Sequence, residues 1–84
     1  MAKLKPVFGP ACLVTGGSGF VGRALARALL DRGCTVHSLD IRPDADPIPG
    51  VKYFTGDIRD YQAVRAAAEG CATVFHCAAV MNFL

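Results

Sequence analysis

No apolar run in this 84-residue chain approaches the about 20 residues that cross a bilayer. The opening Met-Ala-Lys-Leu-Lys-Pro has charge with no apolar run behind it, so neither a membrane segment nor a signal peptide is expected. An excess of one charge is also missing. Nine basic residues face seven acidic ones, a net +2 that is too balanced to draw the chain to nucleic acid or a membrane surface. The four cysteines, Cys12, Cys34, Cys71 and Cys77, show no C-x-x-C spacing and no histidine pattern for zinc. They read as reduced thiols of a cytoplasmic protein, with Cys12 and Cys77 as small apolar fillers of strands. Internal repeats and low-complexity segments are absent too. What remains is one small apolar domain, 52% hydrophobic and 19% charged, whose core is marginal for its size.

The chain is organised around Cys12–Gly22, C-L-V-T-G-G-S-G-F-V-G. A short apolar run ends at Thr15, as a buried parallel strand does. Glycines then stand at 16, 17, 19 and 22, and an amphipathic helical pattern begins at once. Read from Gly17 the run is G-x-G-x-x-G; read from Thr15 it is T-G-x-x-G-x-x-G. A backbone that must turn tightly after a strand and then approach a diphosphate needs glycine at both steps. Helix N–H groups around Phe20 and Val21 would then meet the anion at the positive end of the helix dipole. A glycine pattern alone is weak evidence. The strand before it, the helix after it and an acid downstream make it a nucleotide-binding signal.

Residues 1–10 are a polar, proline-punctuated lead-in, and 11–84 hold the folded elements. Strand one spans Ala11–Thr15. The helix after the loop carries Val21, Ala24, Leu25, Ala28 and Leu29 as its expected buried stripe, with Arg23, Arg27 and Asp31 on the solvated face and Gly33 just past its end. Thr35–Leu39 is strand two, with Asp40 at its end. The Pro43–Gly50 stretch is a surface loop with three prolines, and Val51–Thr55 is strand three. Asp60 is placed to cap a helix from Tyr61 to about Glu69, closed by Gly70, with Tyr61, Val64, Ala67 and Ala68 as its apolar stripe. Thr73–Cys77 is strand four. Alternating strands and helices with short connections imply right-handed crossovers and a parallel α/β sheet of order 3-2-1-4 with helices on both faces, part of a Rossmann-type doubly wound fold.

Asp40 stands 18 residues after Gly22, close to the about 20 at which an acid accepts the hydroxyls of the adenine ribose. A carboxylate there repels a 2′-phosphate, so NAD is favoured over NADP. Arg42 has three readings: over the adenine ring, toward a 2′-phosphate, or a solvated loop cation. Asp57, in G-D-I-R-D, is read evenly as an acceptor for the adenine amino group or as the acid of an Asx turn. His76 titrates near neutrality but has no Ser, Cys or carboxylate nearby in sequence, and a histidine in an apolar strand is more often structural.

The set T-G-G-S-G-F-V-G, L-D-I-R-P, G-D-I-R-D and V-F-H-C-A-A resembles the N-terminal part of the extended short-chain dehydrogenase/reductase family. It is most similar to the 3β-hydroxysteroid dehydrogenase and sterol-4α-carboxylate 3-dehydrogenase branch. The resemblance implies NAD(P)-dependent oxidation or reduction of a sterol-like alcohol. It places the diphosphate on Gly16, Gly19, Phe20, Val21 and Gly22, with Gly17 and Ser18 also in the cofactor-binding set. It places the adenosine ribose on Asp40 with Ile41 and Arg42 beside it, adenine between Asp57 and Ile58, and the nicotinamide ribose by Ala78 and Ala79. Nucleotide-sugar epimerases and dehydratases share these opening motifs, and a dinucleotide-sensing module is the reading outside enzymes.

The family's Tyr-x-x-x-Lys pair is not met: Tyr53 is followed at the fourth position by Asp57, and Tyr61 by Arg65. The expectation is therefore a cofactor-binding N-terminal fragment that is inactive alone, takes its alcohol or ketone substrate only in a full-length protein, and can self-associate through the sheet edge at strand four.

Overall fold

A computed structural model describes residues 9–78. The elements are β1 (Ala11–Thr15), α1 (Phe20–Asp31), β2 (Thr35–Asp40), β3 (Val51–Thr55), α2 (Tyr61–Ala68) and β4 (Thr73–His76). The strands form one parallel sheet in the order β3-β2-β1-β4. Thr15 pairs in register with Leu39 on one side and His76 on the other. That register brings the carboxyl ends of the three strands together at one edge, where ligands bind in open α/β sheets.

Side chains alternate across a strand, and β1 distributes them to both faces. Cys12 and Val14 join Val36, Ala26, Leu29, Cys34 and Ile48 in a core under α1. Leu13 points the other way, to Leu39 and Ala67 under α2. All five residues of β1 are buried, as befits a central parallel strand covered on both faces. Leu13 and Leu39 are fully buried, so truncating either to alanine should cost about 2–5 kcal/mol.

Two helix-face expectations need correcting. On α1 the buried residues are Gly22, Ala26 and Leu29, with Leu25 and Leu30 packed against the core, while Val21, Ala24 and Ala28 are exposed. The face is turned because Gly22 must lie against the glycine loop, where an added Cβ would run into the Gly16 carbonyl. On α2, Tyr61 is exposed, and Ala63, Val64, Ala67 and Ala68 make the inward stripe.

The helix ends follow the sequence. Asp60 caps α2, its carboxylate accepting from the Gln62 and Ala63 amides at 3.0 and 3.4 Å. Past α1, the Gly33 amide donates to the Leu30 carbonyl at 3.0 Å and the Cys34 amide to the Leu29 carbonyl at 3.1 Å, the bonding of a Schellman motif. β2 runs one residue further than expected, to Asp40. β4 ends one earlier, although the Cys77 amide still donates to the Thr15 carbonyl at 3.0 Å. Of the lead-in, Pro10 is tied down: its carbonyl accepts from the Thr35 amide at 2.9 Å. None of the helices among the described residues is long and apolar enough to cross a membrane.

Candidate functional site

The loop between β1 and α1 is built by glycines with different physical roles. Gly16 has φ +71, a left-handed conformation that side chains rarely adopt, and a Cβ on it would lie 2.7 Å from the Ala78 amide nitrogen. Its own amide donates to the Leu39 carbonyl at 2.8 Å, which ties the loop to β2. Gly17 is buried against the Ser38 hydroxyl and has no room for a side chain. That hydroxyl is itself buried without a hydrogen-bond partner among the described residues.

Gly19 is different. Its backbone is extended, at φ −82 and ψ 174, and the nearest atom to an added Cβ is the Gly16 carbonyl oxygen at an ordinary 3.4 Å. Neither conformation nor packing within the described residues demands glycine there. Gly19 also stands as the N-cap of α1 without any side-chain cap, and the first turn carries no acidic residue. The first amides of a helix have no intrahelical acceptor. A free approach at Gly19 and a helix start lacking its own acceptor together suit an external anion.

Asp40 lies beside this loop. Its Oδ2 accepts from the Ser18 amide at 3.0 Å and its Oδ1 from the Arg42 amide at 3.0 Å. The Ser18 hydroxyl completes the ring by donating to the Arg42 carbonyl at 3.0 Å. Each carboxylate oxygen keeps a lone pair for a further donor. A cleft of about 390 Å³ opens at this edge of the sheet. It is lined by Gly16, Gly19, Asp40, Ile41, Asp57, Ile58 and Ala78 among others.

Other residues read from the sequence have different places. Gly17 and Gly22 shape the loop from within, and Phe20 and Val21 are exposed at the start of α1. Ser18 and Arg42 line a neighbouring cavity of about 160 Å³ instead. Ala79 lies outside the described residues.

Asp57 satisfies the turn reading and also faces the cleft. The Arg59 amide donates to its Oδ1 at 2.9 Å, and the Arg59 guanidinium grips both oxygens at 2.6–3.1 Å. That guanidinium, with the backbone amide second, lowers the Asp57 carboxyl to about 2. Arg59 lines the cleft as well. It went unread in the sequence, although its place two residues after Asp57 was the available signal. Leu39, Gly56 and Cys77 are further lining residues that pattern alone did not single out.

The histidines are both engaged. His76 Nδ1 shares a 2.7 Å hydrogen bond with the Thr15 hydroxyl, whose oxygen accepts from the Ala78 amide at 3.4 Å. The buried His37 donates from Nδ1 to the Ala67 carbonyl at 2.8 Å, with the Cys71 sulfur 3.4 Å from the same nitrogen. No His/Cys/Asp/Glu group suited to a metal occurs among the described residues.

The model of the family described as "NAD dependent epimerase/dehydratase family" matches residues 12–83. The mouse (Mus musculus) sterol-4-alpha-carboxylate 3-dehydrogenase, decarboxylating, is 46% identical over 67 residues, covering 80% of this chain and 18% of that protein. The 3 beta-hydroxysteroid dehydrogenase/Delta 5-->4-isomerase of Mycobacterium tuberculosis is 45% identical over 73 residues, covering 86% of this chain and 20% of that protein. Among solved structures, a short-chain dehydrogenase/reductase superfamily protein from Agrobacterium tumefaciens with bound NAD superposes with a TM-score of 0.75. It is 38% identical, and the match covers 88% of this chain and 22% of that one. The chain thus spans about a fifth of the length of these relatives.

Proposed function

Because the chain belongs to the NAD dependent epimerase/dehydratase family, we propose that it is the NAD-binding portion of an oxidoreductase that acts on the CH–OH group of a sterol-like alcohol. The observation that carries the cofactor reading is Gly19: a glycine without internal cause, at an uncapped helix start, beside a carboxylate held at the sheet edge. The residues fit the dinucleotide in order. Gly19 and the first turn of α1 take the diphosphate, on the loop that Gly16 and Gly17 shape. Asp40 takes the adenosine ribose, Ile41 and Ile58 offer apolar walls for adenine with Asp57 at its edge, and Ala78 lies toward the nicotinamide ribose. When bound, NAD supplies the hydride acceptor. The chain's own residues bind and orient it and keep a negative charge at the ribose.

The sterol-like substrate rests on the two steroid-acting relatives. The second reading is a binding module without turnover: Tyr53 and Tyr61 are followed at the fourth position by Asp57 and Arg65, so no Tyr-x-x-x-Lys pair lies within these 84 residues.

Calorimetric titration tests the cofactor reading. NAD should bind, and more tightly than NADP. Asp40→Ala should weaken NAD by about 1.5–3 kcal/mol, the range for a hydrogen bond to a charged group, and should weaken NADP less. A folded chain that takes up neither dinucleotide overturns the reading, and a wild-type preference for NADP transfers the selecting role to Arg42. A turnover assay with NAD and sterol alcohols should show no product from this chain; NADH formation would overturn the module reading.

A further inference from the structure

Arg23 does not lie on a solvated face. Its side chain is only 22% exposed and is paired with Asp44, whose side chain is 4% exposed. The same guanidinium donates to the Asp46 carbonyl at 2.7 Å and lies 3.7 Å from the Asp46 carboxylate. Asp44 is further held by the Asp46 amide at 2.9 Å and the Tyr53 hydroxyl at 3.3 Å, and that hydroxyl accepts from the Ile48 amide at 2.7 Å. One carboxylate thus joins the first turn of α1, the 43–50 loop and β3. The Asp46 amide first, then the Arg23 guanidinium, hold the Asp44 carboxyl below its ordinary range.

An ion pair is poor evidence of stability for its own sake, so its placement carries the argument. The loop it anchors begins at Arg42, whose amide and carbonyl complete the ring that orients the Asp40 carboxylate. Two struts therefore run from the glycine loop and α1 to the same segment, one through Ser18 to Asp40 and Arg42, the other through Arg23 to Asp44 and Asp46. Between them lies the cavity of about 160 Å³ lined by Ser18, Arg42, Asp44 and Tyr53. Ile48 packs the far end of the loop into the core under α1, and around this cavity polar contacts hold the near end.

We propose that Arg23, Asp44 and Tyr53 are positioning residues that hold the Asp40 carboxylate in place for the adenosine ribose and so set NAD affinity and the preference for NAD over NADP. The inference rests on the NAD-binding reading above for its ligand. Its mechanical part, the order of Ser18 and Arg42, stands apart from any ligand.

The test uses the full chain with Arg23→Lys, Asp44→Asn and Tyr53→Phe. In the absence of ligand, amide hydrogen exchange by NMR should quicken about tenfold at Ser18 and Arg42 in the first two variants, while Gln62 and Ala63 at the α2 cap keep their rates. Calorimetry should then show NAD weakened about tenfold and the NAD-to-NADP ratio narrowed. Unchanged exchange at Ser18 and Arg42 in a folded Asp44→Asn chain overturns the proposal. So does a uniform quickening of all amides with the NAD-to-NADP ratio intact, since that is a stability effect alone. If Asp44→Asn fails to fold, Tyr53→Phe decides, with about threefold faster exchange at the same two amides expected and no change overturning it. A wild-type chain that binds neither dinucleotide defeats the NAD reading, while the exchange comparison still decides whether the network positions Asp40.

Discussion

Two glycines of one loop should fail in opposite ways when each is given a methyl group. At Gly16 the cost falls on folding. An L-residue at φ +71 loses about 1–2 kcal/mol from its own backbone. The new Cβ also meets the Ala78 amide nitrogen at 2.7 Å and its Cα at 2.8 Å, an overlap of the kind that costs about 1–3 kcal/mol in a packed interior. Together these amount to about 2–5 kcal/mol, against about 5–15 kcal/mol for a typical whole domain. Gly16→Ala should therefore melt far earlier than wild type or not fold.

At Gly19 the same methyl group has little internal consequence. It meets only the Gly16 carbonyl oxygen, at 3.4 Å, from an ordinary extended backbone. Losing glycine at an N-cap costs about 0.5–1 kcal/mol, and the stiffer unfolded chain returns about 0.4–1 kcal/mol, so the two nearly cancel. The loss falls on the ligand: the methyl group occupies the approach to the first-turn amides of α1. Forfeiting one hydrogen bond to a charged phosphate is worth about 1.5–3 kcal/mol, which is about a ten- to hundredfold weaker NAD complex. Circular dichroism melts with calorimetric NAD titrations separate the outcomes. Undiminished NAD affinity in Gly19→Ala would refute the placement of the diphosphate at the helix start. A Gly16→Ala chain that melts like wild type would refute the backbone argument.

Two further expectations concern titration. The Asp57 carboxyl, drawn down to about 2 chiefly by the Arg59 guanidinium, favours the folded turn at any pH above its unfolded value near 4; that support fades as pH falls through about 2. NMR titration of the Asp57 side chain should give the low midpoint, Arg59→Ala should return it toward the ordinary value, and a wild-type midpoint near 4 would contradict the grip. The Cys12 thiol is pushed up to about 11 by burial first and by neighbouring Cys34 second. It should resist iodoacetamide at pH 8 until the chain unfolds, and the stability its neutral form lends should be full below about pH 9 and decline toward pH 11. Rapid labelling of the folded chain would show that Cys12 is not sealed under α1.

What pattern could and could not reveal divides along a physical line. The strands, the 3-2-1-4 order and the Asp60 cap follow from local rules: apolar runs of strand length, glycine punctuation, and an acid just before a helix. The inward face of α1 does not. Its sequence offers Val21, Ala24, Leu25, Ala26, Ala28, Leu29 and Leu30, and so many small apolar residues support two overlapping stripes. A hydrophobic stripe is informative only when polar residues exclude its rivals. The deciding residue was Gly22, which has no side chain to enter such a pattern and acts by letting the helix touch the glycine loop.

The site shows the same division. The place of Asp40 beside the glycine loop was legible because its spacing from the loop reflects the length of one helix and one strand. The Arg59 grip on Asp57 was legible in principle, two residues apart in a single turn. Arg23 was not, because its partner Asp44 lies 21 residues away on a loop that no periodicity describes. An arginine on the outer side of a helix reads as solvated unless the fold brings it a buried acid. Here it does, and the consequence reaches the site. The residue that looked most like surface holds one end of the segment from which Asp40 and Arg42 are presented. Charge on the outer side of α1 is thereby tied to the loop that begins at Arg42, whose amide donates to the Asp40 carboxylate.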